Sequence, residues 1–174
     1  MKISSKECDV YLETIDAKDV KAIVKNINDP EILSNINDPP IAFYTYGEAV
    51  QFIGYTKYAN IKEFHMGIFS DSALMGMCAL FNISYKDSEL GFWLGKEYRG
   101  GGNARKALKL LISFGFGNLG LERIYAKVLL TNYKSIRLLK AMRFVYETTD
   151  ANRMTLSVKK GMDTDYPAIS VDSV

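Results

Sequence analysis

The stretch ELGFWLGKEYRGGGNARKALKLL, residues 89–111, decides the fold of this chain. Its apolar start predicts a strand, its glycines predict a turn, and the spacing of Ala107, Leu108 and Leu111 predicts a helix from about Gly102. At a helix start the backbone N–H groups lack partners and carry partial positive charge, and glycines leave room for a ligand to approach them. The stretch therefore predicts a cradle for an anion such as a phosphate.

Two common phosphate-binding motifs do not match this turn. A P-loop needs Lys followed by Ser or Thr at the helix start, whereas Asn103 and Ala104 follow the glycines here. The dinucleotide fingerprint fails because Arg105 takes the place of its third glycine. A match to GxGxxG does occur over residues 115–120, but it follows a predicted helix instead of opening one. We interpret these later glycines as a helix stop.

The rest of the chain predicts a mixed α/β (α+β) fold. Asp16 is a good N-cap for a helix over residues 17–26, and the Asn-, Asp- and Pro-rich run over residues 28–40 predicts irregular turns that could line a substrate cleft. We expect further helices over residues 45–58 and 102–117 and after Thr131 or Asn132, and strands over residues 10–15, 63–70, 73–84, 89–95, 124–128, 144–147 and 154–158.

Length and composition limit the classes of function. A chain of 174 residues with 48% hydrophobic and 24% charged residues favours one globular domain over residues 1–174, with a loose polar tail over residues 161–174. A formal charge of +2 does not indicate a nucleic-acid partner. Cys8 and Cys78 form no zinc or disulfide pattern, and no stretch has the length of a membrane span or the character of a signal peptide. We expect a soluble, cytoplasmic protein without a metal.

Arg99, Gly102 and Ala104 match the pattern [Gln/Arg]-x-x-Gly-x-[Gly/Ala] between the strand and the helix. This pattern resembles the acyl-CoA-binding motif of the GNAT N-acetyltransferases. The segments LGLERIYAKV and TNYKSIRLLKAMRF follow in the order seen in the ribosomal-protein N-terminal acetyltransferase-like (RimJ/RimL-like) branch of that family. The resemblance is strong over residues 89–146, about a third of the chain.

The resemblance implies a mixed, mostly antiparallel sheet of about seven strands with about four helices. The sheet splays between its fourth and fifth strands, and acetyl-CoA lies in the gap. Its pantetheine amides would pair with the backbone of Trp93, Leu94 and Gly95 as an added strand does, and its diphosphate would lie in the glycine turn. The full set of cofactor-binding residues expected from the resemblance is Phe92, Trp93, Leu94, Arg99, Gly100, Gly101, Gly102, Asn103, Ala104, Arg105 and Asn132.

The resemblance also suggests two catalytic residues. Glu89 shares a strand face with Gly91 and Trp93 by alternation, and it is either the base that takes the amine proton, directly or through water, or a solvated charge at a strand end. Ser135 either faces the thiol of the cofactor or completes a helix cap. Asn132 either helps to order the cofactor or serves only as an N-cap.

Two positions depart from the family pattern. Leu139 stands seven residues after Asn132, where many family members place a tyrosine that protonates the leaving thiolate. Arg143 stands where the family usually has glycine, so the turn before Phe144 is expected to be strained or differently shaped. His65, the single histidine, lies in a predicted strand and is either structural or catalytic.

We expect an N-acetyltransferase that transfers the acetyl group of acetyl-CoA to a primary amine by direct attack in a ternary complex. The acceptor would be a protein N-terminus or a small amine such as a polyamine, an amino sugar or an antibiotic. Asp29, Glu31 and Asp38 would suit a polycation. The alternative is a non-catalytic acyl-CoA sensor or scaffold, which the leucine at position 139 keeps open. A homodimer is common for this fold and is expected here.

Overall fold

A single sheet organises the chain, as seen in a computed structural model that describes residues 1–36, 42–58, 62–162 and 166–172. The order across the sheet is β7-β8-β6-β5-β4-β3-β2-β1-β9, and every neighbouring pair is antiparallel except β5 and β6, which are parallel. The nine strands of the described residues are β1 (Lys2–Ser4), β2 (Tyr11–Glu13), β3 (Phe64–Ser70), β4 (Ala73–Phe81), β5 (Asp87–Leu94), β6 (Arg123–Leu129), β7 (Val145–Asp150), β8 (Arg153–Lys159) and β9 (Ser170–Asp172).

Five α-helices cover the two faces of the sheet. Helices α4 and α5 pack on one face with the larger apolar core, and α1, α2 and α3 pack on the other face. Short 3₁₀ turns precede α1 and α4, at Ala17–Asp19 and Lys96–Tyr98. The helices are α1 (Val20–Ile27), α2 (Pro30–Ile36), α3 (Tyr46–Tyr58), α4 (Asn103–Gly117) and α5 (Tyr133–Ala141).

Helix α4 supplies much of the larger core. Ala107, Leu108 and Leu111 have no exposed surface, and each buried leucine contributes about 1.5–3 kcal/mol to the hydrophobic stabilisation. The helix ends at the later glycines as expected, because Gly120 has a φ of +69° and Leu121 N–H donates to Gly115 C=O at 3.0 Å. The core thus fixes the strand-turn-helix unit that carries the glycine loop.

The sheet forks between β5 and β6. Their parallel pairing includes only Asp87 with Arg123, Ser88 with Ile124 and Glu89 with Tyr125. Beyond that point β5 stays paired with β4 as far as Leu94, and β6 stays paired with β8 as far as Leu129. The two halves of the sheet therefore separate without losing their other neighbours. This confirms the expected splay, because the fourth and fifth predicted strands, over residues 89–95 and 124–128, are β5 and β6 in the structure.

The sequence predicts a loose C-terminal tail, and this prediction is wrong. Strand β9 pairs antiparallel with β1, and Tyr166, Ile169 and Val171 pack against the larger core. The reason is that β1 would otherwise leave an unpaired edge, which the last described residues cover. A run of three residues is too short for its alternation to stand out in the sequence, so neither β1 nor β9 is predicted by it.

Several other boundaries differ from expectation. The first helix is a 3₁₀ turn followed by α1, and Asp16 and Asp19 form a reciprocal capping box at its start. The run over residues 28–40 contains α2, while residues 37–40 lie outside the described part. Strand β5 begins at Asp87, two residues before the expected start at residue 89. The described residues thus form nine strands and five helices, somewhat more than the seven and four expected.

Two features of other protein classes are absent from the described ranges. None of the helices there has the length and apolar character needed to cross a bilayer. Over the same ranges, no group of three or more His, Cys, Asp or Glu side chains is placed to hold a metal ion.

Candidate active site

A cavity of about 480 Å³ opens where β5 and β6 diverge. Its walls come from both strands of the fork, from α1, α2 and α3 on one side, and from the first turn of α5. Phe92, Trp93, Asn132 and Ser135 line it, and Asn35 of α2 shows that the expected loop region contributes to the cleft. Leu94 is buried at the end of β5 instead.

The backbone of β5 offers hydrogen-bonding groups to the gap. Gly95 N–H donates to Met75 C=O at 2.9 Å, which fixes the alternation along the antiparallel pair of β4 and β5. By that alternation Phe92 and Leu94 direct their N–H and C=O groups away from β4 and into the gap, whereas Trp93 bonds with β4. The Trp93 and Gly95 groups that were expected to pair with the cofactor are therefore used within the protein. Phe92 and Leu94 present backbone groups to the gap, and Leu94 C=O also accepts from Arg99 Nε at 3.0 Å.

The glycine loop leaves its amides free. Gly100 has a φ of +92° and Gly102 has a φ of +79°, which are backbone conformations that favour glycine. The side chain of Asn103 donates to Tyr98 C=O at 3.0 Å and so braces the loop. Within the described ranges, no hydrogen bond is formed by the N–H groups from Gly100 to Arg105. This loop has the free donors that a diphosphate requires.

Three further residues that were expected to bind the cofactor belong to this loop or to the first turn of α4. Gly101 is exposed, Ala104 is half-buried in the first turn of α4, and the Arg105 side chain is exposed beside them. Among the residues described, no carboxylate forms an ion pair with Arg105, so its guanidinium remains available to an anion. Lys106, the next residue, is instead paired with Asp9 at 2.6 Å.

Arg99 holds protein groups with its side chain. Its Nε donates to Leu94 C=O at 3.0 Å, its Nη1 to Glu31 at 3.0 Å, and its Nη2 lies 3.5 Å from Asp29. Lys134 of α5 also donates to Glu31, at 2.7 Å and 2.9 Å. The Arg99 side chain therefore links the end of β5 to the turn before α2 and to α2 itself. The free amides belong to the glycine loop that follows Arg99 in the chain.

Glu89 lies at the closed end of the fork. Its side chain is only 12% exposed and lines the cavity. Asn82 Nδ2 donates to its Oε2 at 3.2 Å, and Lys127 Nζ lies 3.8 Å from the same oxygen. The carboxylate is therefore a partly buried group in the cavity wall and not a fully solvated charge at a strand end.

Tyr125 faces Glu89 across the last paired position of the fork. Burial, together with the negative charge of Glu89, raises the pKa of the Tyr125 phenol. The phenol is consequently protonated at neutral pH and can donate. Sequence reasoning did not select Tyr125 among eleven tyrosines, and it missed Lys127, although alternation along β6 places both on one face.

The first turn of α5 places Asn132 and Ser135 at the cavity. Asn132 Oδ1 accepts from Ser135 N–H at 3.2 Å, so Asn132 is the N-cap of α5 and also lines the cavity. Leu139 has no exposed surface and belongs to the larger core. Arg143, which stands where the family usually has glycine, has a φ of +67° and so adopts the left-handed conformation. The turn before Phe144 is therefore strained, as the departure from the family pattern predicted.

His65 and Cys78 also line the cavity. His65 Nε2 lies 3.0 Å from Glu63 Oε2, and Tyr55 donates its hydroxyl to the same oxygen at 2.7 Å. The pKa of Glu63 is lowered by the hydrogen bond from His65 and then by that from Tyr55. Burial raises the pKa of the Cys78 thiol well above its usual range, so this thiol stays neutral.

A forked sheet with a free-amide glycine loop at its open end and a carboxylate at its closed end defines a site for an acyl-CoA and an acceptor. Comparison with known proteins agrees with that class. Residues 9–145 match the family described as the acetyltransferase (GNAT) domain. The chain belongs to this family of acetyltransferases.

Individual relatives refine the comparison. A Bacillus subtilis protein, YdaF, whose name proposes a ribosomal N-acetyltransferase, is 29% identical over 62% of this chain. That match spans 60% of the relative's own length. The structure of RimJ from Mycobacterium smegmatis, in complex with CoA-disulfide, is similar with a TM-score of 0.76 and 17% identity, covering 87% of this chain and 82% of that one. At 17% identity the similarity to RimJ shows a shared fold, and the name of the Bacillus subtilis relative agrees with the RimJ/RimL-like branch that the sequence resembles.

A further similar structure contains a polyamine. The spermidine N-acetyltransferase of Vibrio cholerae, solved with CoA and spermine, has a TM-score of 0.74 and 20% identity. The alignment covers 87% of this chain and 96% of that one. At this identity the similarity shows a shared fold.

Proposed function

We propose that the protein transfers the acetyl group of acetyl-CoA to a primary amine by direct attack in a ternary complex. The observation that carries this proposal is the position of Glu89, which lies in the cavity wall where β5 and β6 separate. The diphosphate would bind the free amides of the loop from Gly100 to Arg105, and the pantetheine arm would follow β5 toward Glu89. Backbone groups of Phe92 and Leu94 would pair with that arm as a neighbouring strand does.

Glu89 would make the acceptor reactive. A primary amine is largely a cation at neutral pH and has no free electron pair until a base takes its proton. The Glu89 carboxylate accepts that proton, directly or through water, and Asn82 holds the carboxylate in place by its hydrogen bond at 3.2 Å. The neutral nitrogen then forms a bond to the thioester carbonyl carbon, and the carbon–sulfur bond breaks.

The thiolate that leaves must gain a proton, and the new amide must lose one. We assign Ser135 to the thiolate side, because it lines the cavity in the first turn of α5 and its N–H is already held by Asn132. Leu139 cannot protonate the thiolate, because its side chain has no acidic proton. Backbone N–H groups that face the gap would stabilise the negative charge on the carbonyl oxygen.

Among the residues described at the cavity, no reactive thiol is present to carry the acetyl group covalently. Cys78 is the thiol in the cavity wall, and burial keeps it neutral and therefore a poor nucleophile. This favours direct transfer between the two substrates. The sensor or scaffold alternative is not favoured, because the family is one of acetyltransferases and a partly buried carboxylate lies in the cleft.

Among acceptors, we propose a peptide or protein N-terminus. A polycation would need several free carboxylates, but Asp29 and Glu31 are engaged by Arg99 and Lys134. Asp38, the third acid considered for that role, lies outside the described residues. The cavity is lined mainly by apolar side chains with Glu89 at one end, which suits a chain with one reacting amine. The name of the Bacillus subtilis relative is consistent with this acceptor.

The test is a thiol-release assay with acetyl-CoA and three groups of amines: short peptides with free N-termini, polyamines and aminoglycosides. We expect peptides to give the highest kcat/KM, and mass spectrometry of the products should place the acetyl group on the α-amine. Thiol release with none of these amines, although acetyl-CoA binds, would favour the sensor. Faster release with spermine than with every peptide would overturn the proposed acceptor.

A further inference from the structure

His65 lies in the wall of the same cavity as Glu89, on the side away from the fork. It is opposite Ala79 of β4, which is in turn opposite Gly91 of β5. Since neighbouring strands are about 4.8 Å apart, His65 is roughly 10 Å across the sheet from β5. The cavity therefore has Glu89 near the reacting centre and His65 at the distance of a few acceptor residues.

The imidazole of His65 is held in one orientation. Its Nε2 lies 3.0 Å from Glu63 Oε2, and Tyr55 holds the same carboxylate at 2.7 Å. The edge of the imidazole meets the Phe52 ring at 5.3 Å between centroids, and the side chain is 15% exposed. An ionised carboxylate only accepts hydrogen bonds, so in the neutral ring the proton is on Nε2 and Nδ1 is left as an acceptor.

Nδ1 has unused capacity at this end of the cavity. Over the ranges that the structure describes, no donor contacts Nδ1. Two other polar side chains of the cavity wall already have partners, since Asn35 donates to Glu31 C=O at 2.6 Å and Tyr44 donates to Glu48 C=O at 3.3 Å.

The floor between His65 and the fork is apolar. It consists of Ala79 and of the Phe81 ring, which lies over Gly91, 2.9 Å from where a Cβ would be. A bound acceptor would therefore pass over apolar surface between Glu89 and His65. A hydrogen-bond donor on the acceptor would find its partner in this part of the cavity at Nδ1.

We propose that His65 is a specificity-determining residue that selects acceptors with a hydrogen-bond donor about 10 Å from the reacting amine. This inference rests on the proposed peptide acceptor. An extended peptide advances about 3.3 Å per residue, so the donor would belong to a side chain near the third or fourth position of the peptide. A hydroxyl, amide or ammonium group would serve, and an alkyl group would leave Nδ1 buried without a partner.

Kinetics with matched peptides tests the role directly. The probes are alanine peptides with a free N-terminus and a single serine at the second, third, fourth or fifth position. We expect kcat/KM to be about fivefold to tenfold higher for serine at the third or fourth position than for the all-alanine peptide. In His65→Phe this preference should fall to less than about twofold, mainly through KM. Tyr46→Phe, an exposed change on α3, should leave the preference unchanged.

Nuclear magnetic resonance gives a test that needs no variant. Because the chain has a single histidine, its ¹⁵N ring signals belong to His65 without ambiguity. Above neutral pH we expect the tautomer with the proton on Nε2. Saturation with CoA and the preferred serine peptide should shift the Nδ1 signal in the direction of an accepted hydrogen bond, and the all-alanine peptide should not.

The outcomes separate this inference from the proposed function. A tautomer with the proton on Nδ1, or equal shifts with both peptides, would overturn the role of His65 while peptide acetylation continued. A serine preference that survives in folded His65→Phe would overturn it as well. If no peptide is acetylated, the proposed acceptor fails, and the absence of any peptide-induced Nδ1 shift would then remove the role of His65 too.

Discussion

Glu89 and Tyr125 face each other at the last paired position of β5 and β6, and burial together with the charge of the Glu89 carboxylate raises the pKa of the Tyr125 phenol. One residue later the strands diverge, and the cavity begins. The carboxylate is therefore at the point where a ligand inserted between the strands would end. The fork therefore has the glycine loop at its open end and the proposed base at its closed end.

The first prediction concerns the base. Glu89→Gln removes the charge but keeps the shape, so we expect kcat to fall at least about tenfold while the affinity for CoA stays within about twofold. Steady-state kinetics and calorimetry measure the two quantities. Glu7→Gln, an exposed change of the same chemistry, is the matched control. An unchanged kcat in Glu89→Gln would remove Glu89 from the mechanism.

The second prediction concerns the glycine loop. Gly102 has a φ of +79°, and open space surrounds the place that a Cβ would take, so Gly102→Ala introduces backbone strain of about 1–2 kcal/mol without a clash. We expect CoA to bind about fivefold more weakly and pantetheine, which lacks the diphosphate, to bind unchanged. Gly117→Ala, at the other end of α4 and without a positive φ, is the control. Equal losses for both ligands would contradict a diphosphate site in this loop.

Much of the site could be predicted because the conformation of its segments depends on residues close by in the sequence. The glycine loop, the start of α4 and the N-cap at Asn132 each depend on neighbours in the sequence, and the structure has all three. The side chain of Arg99 could not be placed, since its carboxylate partners Asp29 and Glu31 lie far away in the chain. The pairing of β1 with β9 was missed for the same reason.

Other features depended on register. Tyr125 becomes significant only because it is opposite Glu89, and that pairing requires the sheet order. Alternation places His65 and Glu63 on one face, but the cavity that His65 lines depends on the packing of α3 over the sheet, which the sequence does not give. The homodimer and the cytoplasmic location stay predictions.

The third prediction concerns the closed end of the fork. Arg123 donates to Asp87 of β5 at 2.9 Å and to both carboxylate oxygens of Glu147, at 2.9 Å and 2.5 Å. Glu147 lies at a register shift in β7, which turns its side chain toward Arg123. The hydrogen bond from Arg123, aided by that from Ser157, lowers the pKa of Glu147 from 4.5 to about 2.

Because the pKa of Glu147 is lower in the folded state, its contribution to stability is complete above about pH 4.5 and is lost as the pH falls toward 2. We expect Glu147→Gln to lower the free energy of unfolding by about 1–3 kcal/mol at neutral pH and by much less near pH 3. Denaturant unfolding at the two pH values measures the difference. Glu122→Gln breaks an exposed pair with Lys86 and should cost under about 1 kcal/mol. A pH-independent loss in Glu147→Gln would contradict the assignment.

The fourth prediction concerns the route of transfer. Since burial keeps the Cys78 thiol neutral, incubation with acetyl-CoA alone should leave the mass of the intact protein unchanged. Initial rates with both substrates varied should give intersecting lines, as a ternary complex requires. Acetylated Cys78 that forms and decays at the rate of turnover would refute direct attack.

The central claim is that the gap between β5 and β6 receives the arm of acetyl-CoA while the glycine loop holds its diphosphate. A crystal structure of the protein with acetyl-CoA tests it most directly. We predict the diphosphate within hydrogen-bond distance of amides between Gly100 and Arg105, the arm bonded to the backbone of Phe92 or Leu94, and the thioester on the Glu89 side of the cavity. A coenzyme bound elsewhere, with those amides and the fork left empty, would contradict the account.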